Sequence, residues 1–455
     1  MKQKVIAIFD IGKTNKKILL FDTSLKLVSE KEEQFPLATD EDGFECDSME
    51  LIESWIKSTV STLARSDEFE LLAVNFATYG ATLVYLDSSG RRLTPVYNYL
   101  KPVDNAIPAS VYEMHGGVDE FSRRTASPAL GMLNSGMQAL WLKKTRPDVF
   151  ARVKYVLHFP QYLSYLLTGE VCSEHTSIGC HTAMWDFDNF TYHPWLASEK
   201  IPVPDPVPVT TSWVVNINGH KFRTFTGLHD SSASLAPYFS ASEGKFLLVS
   251  TGTWCINMNP FNPEVLTNEQ LKRDCLCYLS VTGEPVKSSR LFLGNMHDLA
   301  VKRMSQYFKI HEHSFRMIKP DLRLLNKLLV KFNDERVFLS NDGNMPHLKE
   351  EPDLFVFDNF LEGYHQLMVE LTDIAVEAIN LVMPEMDDIE KVYITGGFSK
   401  NPLFLKLLAS SFPDKKVYIS EISNATALGA AVITHKGLYP EIPADPGLVV
   451  NEVKI

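Results

Sequence analysis

The sequence predicts an α/β fold built from two similar halves, and three stretches carry that reading. Residues 7–22, AIFDIGKTNKKILLFD, place two aliphatic runs around a polar centre, Asp10-Ile11-Gly12-Lys13-Thr14-Asn15-Lys16. Residues 244–260, GKFLLVSTGTWCINMNP, repeat that grammar around Ser250-Thr251-Gly252-Thr253. Residues 391–408, KVYITGGFSKNPLFLKLL, read as a strand, a glycine pair and a helix. Short apolar runs bounded by turn residues are strands. Two such hairpins, one per half, suggest a duplicated domain with two facing phosphate-binding turns. A glycine pair before a capped helix adds a place for a nucleotide.

The opening stretch is not a P-loop. That motif needs a second glycine five residues before Gly12, where this chain has Ala7. It also needs a helix after Thr14, and Ile18-Leu19-Leu20-Phe21 reads as a strand. Turn amides and a threonine hydroxyl still cradle oxygens without a helix. An ordinary polar hairpin tip has the same local pattern.

The remaining elements follow in order. Residues 71–90 read as a second strand–turn–strand unit, with Tyr79-Gly80-Ala81-Thr82 at its break. Residues 133–149 predict a helix with Met137, Leu140, Trp141 and Val149 on one face. Residues 152–167 predict a strand and a helix ending at Gly169. The proline-rich stretch 193–208 suits an irregular surface connection. Residues 361–382 carry the i, i+3, i+4 stripe of a long packed helix. Asn401 is a good N-cap and Pro402 a good first helical residue. Residues 424–435 form a helix of small residues that allows close approach of another backbone.

Bulk properties narrow the function. The 455 residues carry a net charge of −12, which argues against a general nucleic-acid or anionic-membrane binder. No apolar run approaches a membrane span. Cys46, Cys172, Cys180, Cys255, Cys275 and Cys277 read as reduced thiols of a cytoplasmic protein. The His229-Asp230 and His297-Asp298 pairs also occur in metal phosphohydrolases, but further histidines at helical spacing are lacking nearby.

Four motifs in order resemble the FGGY carbohydrate kinases of the actin-like ATPase superfamily. They are Asp10-Ile11-Gly12-Lys13-Thr14-Asn15, Gly227-Leu228-His229-Asp230, Ser250-Thr251-Gly252-Thr253-Trp254 and Gly396-Gly397-Phe398-Ser399-Lys400-Asn401. Finer similarity points to the deoxy-ketose branch, the L-fuculose and L-rhamnulose kinases, and GMLNSGMQALWLKKTRP, YLLTGE and HPWL look most like L-fuculose kinases. The resemblance implies two ribonuclease H-like domains flanking a deep cleft, over residues 1–240 and 241–455. It implies an ATP-dependent kinase that phosphorylates a hydroxyl of a ketose, with Mg2+.

The roles implied are these. Asp10 holds the metal, and Asp230 accepts the sugar hydroxyl proton. Asp230 also reads as an N-cap for the helix that follows. Gly12, Thr14, Asn15 and Lys16 (or Lys13) face phosphate from one half, and Thr251, Gly252 and Thr253 from the other. Gly396, Gly397, Ser399 and Asn401 receive the adenosine. Thr82, Tyr99, Asn134 and His229 line the sugar site. Thr82 stands where those kinases usually carry an aspartate that holds sugar hydroxyls, so either another group has taken over, with His175, Glu174 or Lys101 as candidates, or the substrate lacks the hydroxyl that the aspartate would hold. The only partner expected is a small-molecule sugar, and a homodimer is compatible. The alternatives are a non-catalytic actin-like nucleotide binder or sugar sensor, and a kinase for another ketose or polyol such as xylulose.

Overall fold

The computed structural model describes residues 2–333, 335–340, 345–384 and 386–454. The opening hairpin is β1 (Gln3–Ile11) and β2 (Lys16–Phe21), antiparallel, with Asp10 opposite Lys17. Strand β3 (Leu27–Glu33) extends it, and β4 (Phe69–Thr78) runs parallel to β1. Next come β5 (Leu83–Leu86) and β6 (Tyr155–His158), which pair with each other. The expected hairpin at 71–90 therefore does not form. Its two strands exist, but the turn at Gly80-Ala81 sends the second into another sheet. Strands β7 (Ser212–Ile217), β8 (His220–Phe225) and β9 (Leu228–His229) complete the first sheet, in the order β7-β8-β4-β1-β2-β3, with β9 also on β4.

The second sheet repeats the plan. Strands β10 (Phe246–Thr251) and β11 (Cys255–Asn259) form its hairpin. Then come β12 (Cys275–Leu279), β13 (Pro285–Leu291), β14 (Lys391–Gly396), β15 (Lys416–Glu421) and β16 (Val449–Glu452), in the order β12-β13-β11-β10-β14-β15-β16. In both sheets the first hairpin strand is central, with its partner antiparallel on one side and a parallel strand on the other. Central strands are buried on both faces, which is why Val5–Phe9 and Phe246–Val249 are continuous apolar runs.

The helices that matter are α1 (Met49–Ala64), α2 (Ser135–Thr145), α3 (Phe159–Thr168), α4 (Asp230–Ala241), α5 (Leu293–Phe308), α6 (Phe360–Asn380), α7 (Pro402–Ser411) and α8 (Ala425–Leu438). The helix expected over 133–149 stops at Thr145, because Pro147 opens a separate short turn. The stretch 193–208 is not all surface, since Trp195 is fully buried and donates to the Ala183 carbonyl. All six cysteines are free and buried. No helix among the described residues is long and apolar enough to cross a membrane.

Two helices tie the halves together. Helix α8 lies between β15 and β16 of the second sheet in sequence but packs on the first, where Ala427, Ala430 and Ala431 meet Ile6, Ile8 and Ala77. Thr434 there accepts a 3.0 Å bond from the Asn75 amide. Helix α4 shows Ala233 and Ala236 to that cluster, and Leu235 and Tyr238 to the core behind β10.

Candidate active site

Asp10 lies at the end of β1, opposite Lys17 on β2. Its carboxylate accepts no hydrogen bond from a described residue. Burial, then the nearby charge of Asp230, raises it to about 6, against the pull of Lys17. Two carboxylates within electrostatic reach of one another, one of them undonated, suit a cation. The donors are hard oxygens, as Mg2+ prefers, and one or two carboxylates plus substrate phosphates are its usual complement. No group of three or more His, Cys, Asp or Glu that could hold a metal occurs among the described residues, so the chain supplies no all-protein cage.

Asp230 opens α4. It is the first helical residue rather than the N-cap, which is His229. Its Oδ1 accepts from the Ser231 amide at 2.6 Å and lies 3.2 Å from His229 Nε2. The ring of His229 rests on Gly80, where a methyl group would sit 2.9 Å from Nε2. Burial lowers the imidazole pKa, and the Asp230 charge opposes that.

The first turn closes through a 2.9 Å bond from the Gly12 amide to the Asn15 carbonyl. Thr14 is exposed at its tip, and Asn15 accepts from Gln34. Lys16 departs from expectation. It is 3% exposed, because its strand position points it inward, and its ammonium binds Asp47 at 2.9 Å and the Lys13 carbonyl. Lys13 is the more accessible cation. Its ammonium also binds Asp47 at 2.9 Å and lies 5.2 and 5.6 Å from the ring centres of Tyr79 and Tyr99. Tyr79 donates to Asp47 at 2.6 Å. Burial raises the Asp47 carboxyl, but Tyr79, Lys16 and Lys13 outweigh it and hold it below the usual range.

The second turn mirrors the first, with a 2.8 Å bond from the Gly252 amide to the Trp254 carbonyl. Gly252 and Thr253 are exposed. Buried Thr251 accepts from the Phe398 amide and donates to the Thr395 carbonyl, locking this turn to the glycine pair. Gly396 has φ 87°, and a methyl there would lie 1.7 Å from the Thr251 carbonyl oxygen. Gly397 faces open space. Ser399 donates to the Gly396 carbonyl. Asn401 caps α7 through the Leu403 and Phe404 amides and donates to Tyr364. A cavity of about 590 Å³ opens between Gly252-Thr253, the start of α5 at Gly294 and His297, Phe315-Arg316 and the 397–402 turn. That volume, its exposed glycines and its Arg316 and Lys400 cations fit a nucleoside polyphosphate.

The sugar-side expectations fare unevenly. Tyr99 is half-buried and feels the Asp230 charge, which adds to burial in raising its phenol. Asn134 is 1% exposed, donates to the His181 carbonyl and accepts from the Leu130 amide, so it braces a turn. Thr82 is 2% exposed and donates to the Gly80 carbonyl. Lys101 is held by Asp40 and Asp42. Glu174 caps the next helical turn through Thr176 and Ser177, and burial raises it to about 7.

Two participants went unread in the sequence. Lys17 needed only the hairpin register, which sets it across from Asp10. Asp47 sits before α1 with no motif around it, so only the tertiary structure brings it to both lysines.

Comparisons with known proteins agree with this geometry. Residues 5–199 match the N-terminal domain of the FGGY family of carbohydrate kinases, and residues 243–326 and 362–436 match its C-terminal domain. A rhamnulokinase of Halalkalibacterium halodurans is 23% identical over 453 residues, covering 93% of this chain and 89% of that protein. One from Oceanobacillus iheyensis is 22% identical, over 80% of this chain and 78% of its own. A carbohydrate kinase from Novosphingobium aromaticivorans superposes with a TM-score of 0.82 at 23% identity, covering 100% of this chain and 95% of that one. A xylulose kinase from Lactobacillus acidophilus gives 0.74 at 16% identity, over 98% and 93%. With its two duplicated sheets and both halves matched, the chain belongs to the FGGY family of carbohydrate kinases and is an ATP-dependent sugar kinase.

Proposed function

We propose that the chain transfers the γ-phosphoryl group of ATP to a hydroxyl of a 6-deoxyketose of the L-rhamnulose or L-fuculose kind. The observation that carries this is the Asp10–Asp230 pair, set at the ends of β1 and β9 beside the first phosphate turn. The rhamnulokinase relatives support the sugar class.

Phosphoryl transfer needs alignment and charge neutralisation more than covalent chemistry. Mg2+, when bound, would supply charge neutralisation at the transferred phosphoryl group. Asp10 would hold it, with Lys17 across the hairpin limiting the residual charge. Asp230 accepts the hydroxyl proton and fixes the line of attack. A carboxylate is a weak base toward an alcohol, which suffices when the proton leaves late in a loose transition state. The Gly12–Asn15 and Gly252–Thr253 turns present amides to the phosphates from either half. Gly396, Gly397 and the Asn401 cap shape the adenosine end. Tyr99 and Lys13 border the sugar beside Asp230.

The test is ATP consumption with and without added sugar, across a panel of ketoses and polyols that includes L-rhamnulose, L-fuculose and xylulose. Turnover that depends on a 6-deoxyketose is expected. Dependence on a different sugar would replace the substrate. Turnover indifferent to every sugar would favour the nucleotide-binding sensor.

A further inference from the structure

Behind Gly80 lies a small cavity of about 10 Å³, lined by Thr82, His158, Ser177 and His229 together with Tyr79, Phe159 and Pro160. The first four side chains are nine-tenths or more buried. Three buried polar atoms there have no partner: His158 Nε2, Ser177 Oγ and His229 Nδ1. Buried polar atoms are rarely left so, and three around one cavity share a cause. About 10–15 Å³ of space for the centre of a water-sized sphere admits one water and not two.

We propose that this cavity seats one ordered water that fixes the tautomer of His229, making Thr82, Ser177 and His158 positioning residues for Asp230. The hydrogen-bond inventory closes around it. Thr82 spends its hydroxyl hydrogen on the Gly80 carbonyl, so it offers the cavity only lone pairs. The water donates to Thr82 Oγ1 and to His229 Nδ1. It accepts from Ser177 Oγ–H and from His158 Nε2–H. Burial keeps both imidazoles neutral at pH 7, His158 being lowered to about 3. A neutral His229 whose Nδ1 accepts must carry its proton on Nε2. That is the nitrogen 3.2 Å from Asp230 Oδ1. The imidazole thus sets a positively polarised N–H, rather than a lone pair, beside the carboxylate. The opposite tautomer would set a lone pair against Asp230.

This also accounts for threonine at position 82. An ionised carboxylate there would accept from Nδ1, move the proton off Nε2 and leave a lone pair beside Asp230. The catalytic consequence rests on the proposed function. The tautomer does not, and it is read on the protein without substrate.

The experiment is long-range ¹H–¹⁵N correlation of ¹⁵N-histidine-labelled protein, with His229→Gln for assignment. His229 is expected as the Nε2–H tautomer in the wild type. Ser177→Ala and Thr82→Val each remove one partner of the water. Each should lower kcat by about 2–10-fold with KM for sugar and ATP within twofold, the effect of losing one hydrogen bond. Thr82→Ser should restore the wild-type rate. Thr82→Asp should shift His229 to the Nδ1–H form. A wild-type Nδ1–H tautomer overturns the proposal without reference to any variant. So does wild-type kcat in both Ser177→Ala and Thr82→Val. An Nε2–H His229 in a protein that phosphorylates no sugar would leave the water in place and remove the proposed function instead.

Discussion

Asp10 and Asp230 are two carboxylates with different surroundings, and the difference assigns their work. Asp230 is held by the Ser231 amide and faces the His229 ring, so it is oriented. Replacing it by asparagine keeps the shape and removes the base. Asp230→Asn should lower kcat by on the order of a hundredfold or more, with sugar and ATP affinity nearly unchanged, in steady-state kinetics and calorimetry. Asp10 is raised to about 6 and must lose its proton to hold a cation. Apparent Mg2+ affinity should therefore be about tenfold weaker at pH 5 than on its plateau above pH 7, in a titration at fixed nucleotide. The sign for the protein without metal is opposite. There the folded form keeps a proton that the unfolded chain releases, between the ordinary 3.8 and about 6. Stability from this group is full below the lower value and is lost as pH rises through the upper one. The lysines divide in the same way. Lys16 is buried against Asp47, whereas the Lys13 side chain is 27% exposed. Asp47→Asn should cost about 3–5 kcal/mol in urea unfolding, because it leaves the Lys16 charge buried without its counter-ion. Lys13→Met, with one exposed partner of that carboxylate removed, should cost about 1 kcal/mol or less.

At the scale of elements, the contact between α4 and α8 explains two residues that look out of place in helices. Pro237 lies inside α4 and has no amide hydrogen to give the Ala233 carbonyl. Against that same carbonyl packs Gly429 of α8, where a methyl group would lie 1.8 Å from the oxygen. The proline leaves an acceptor, and the glycine lets another backbone reach it, at the junction of the two sheets. Gly429→Ala should therefore part the helices and lower stability by about 1–3 kcal/mol or more, seen as a reduced melting temperature. An unchanged melting temperature would mean that the helices slide apart freely. The small-residue run 424–435 made close approach legible in the sequence, but its partner was not, since α8 crosses back to the first sheet. Both phosphate hairpins and the capped α7 were legible because each is a local pattern of apolar run, glycine and cap. The departure of β5 from the first sheet was not, because it takes its partner from residues 155–158, far along the chain. The hydrogen-bond partners of Thr82 and Asn134 were not legible for the same reason. A motif position gives the neighbourhood of a side chain, while its direction depends on which remote strand or loop receives it.

For the whole molecule, the proposed base and the proposed nucleotide site belong to different halves. Asp230 and the Gly12–Asn15 turn sit on the first sheet, and the 590 Å³ cavity on the second. Connections between the halves among the described residues include α4 with α8, the 2.8 Å bond from Ser232 to the Leu279 carbonyl, Arg123 reaching the Leu266 carbonyl, and Asn424 between Lys17 and Glu30. A ligand whose phosphates meet both turns draws the halves together, and a sugar beside Asp230 then binds a site already partly ordered. Binding of the two substrates should accordingly be coupled. A nonhydrolysable ATP analogue with Mg2+ should tighten ketose binding about 5–10-fold, the range of ordinary coupling free energies. Linkage requires the ketose to tighten the analogue by the same factor. Calorimetric titration in both orders measures each side independently. Adenosine alone, which fills the second half without reaching the first turn, should give no coupling. Equal ketose affinity with and without the analogue would mean that the halves do not move on binding, and that sugar dependence of ATP consumption comes from the chemical step alone.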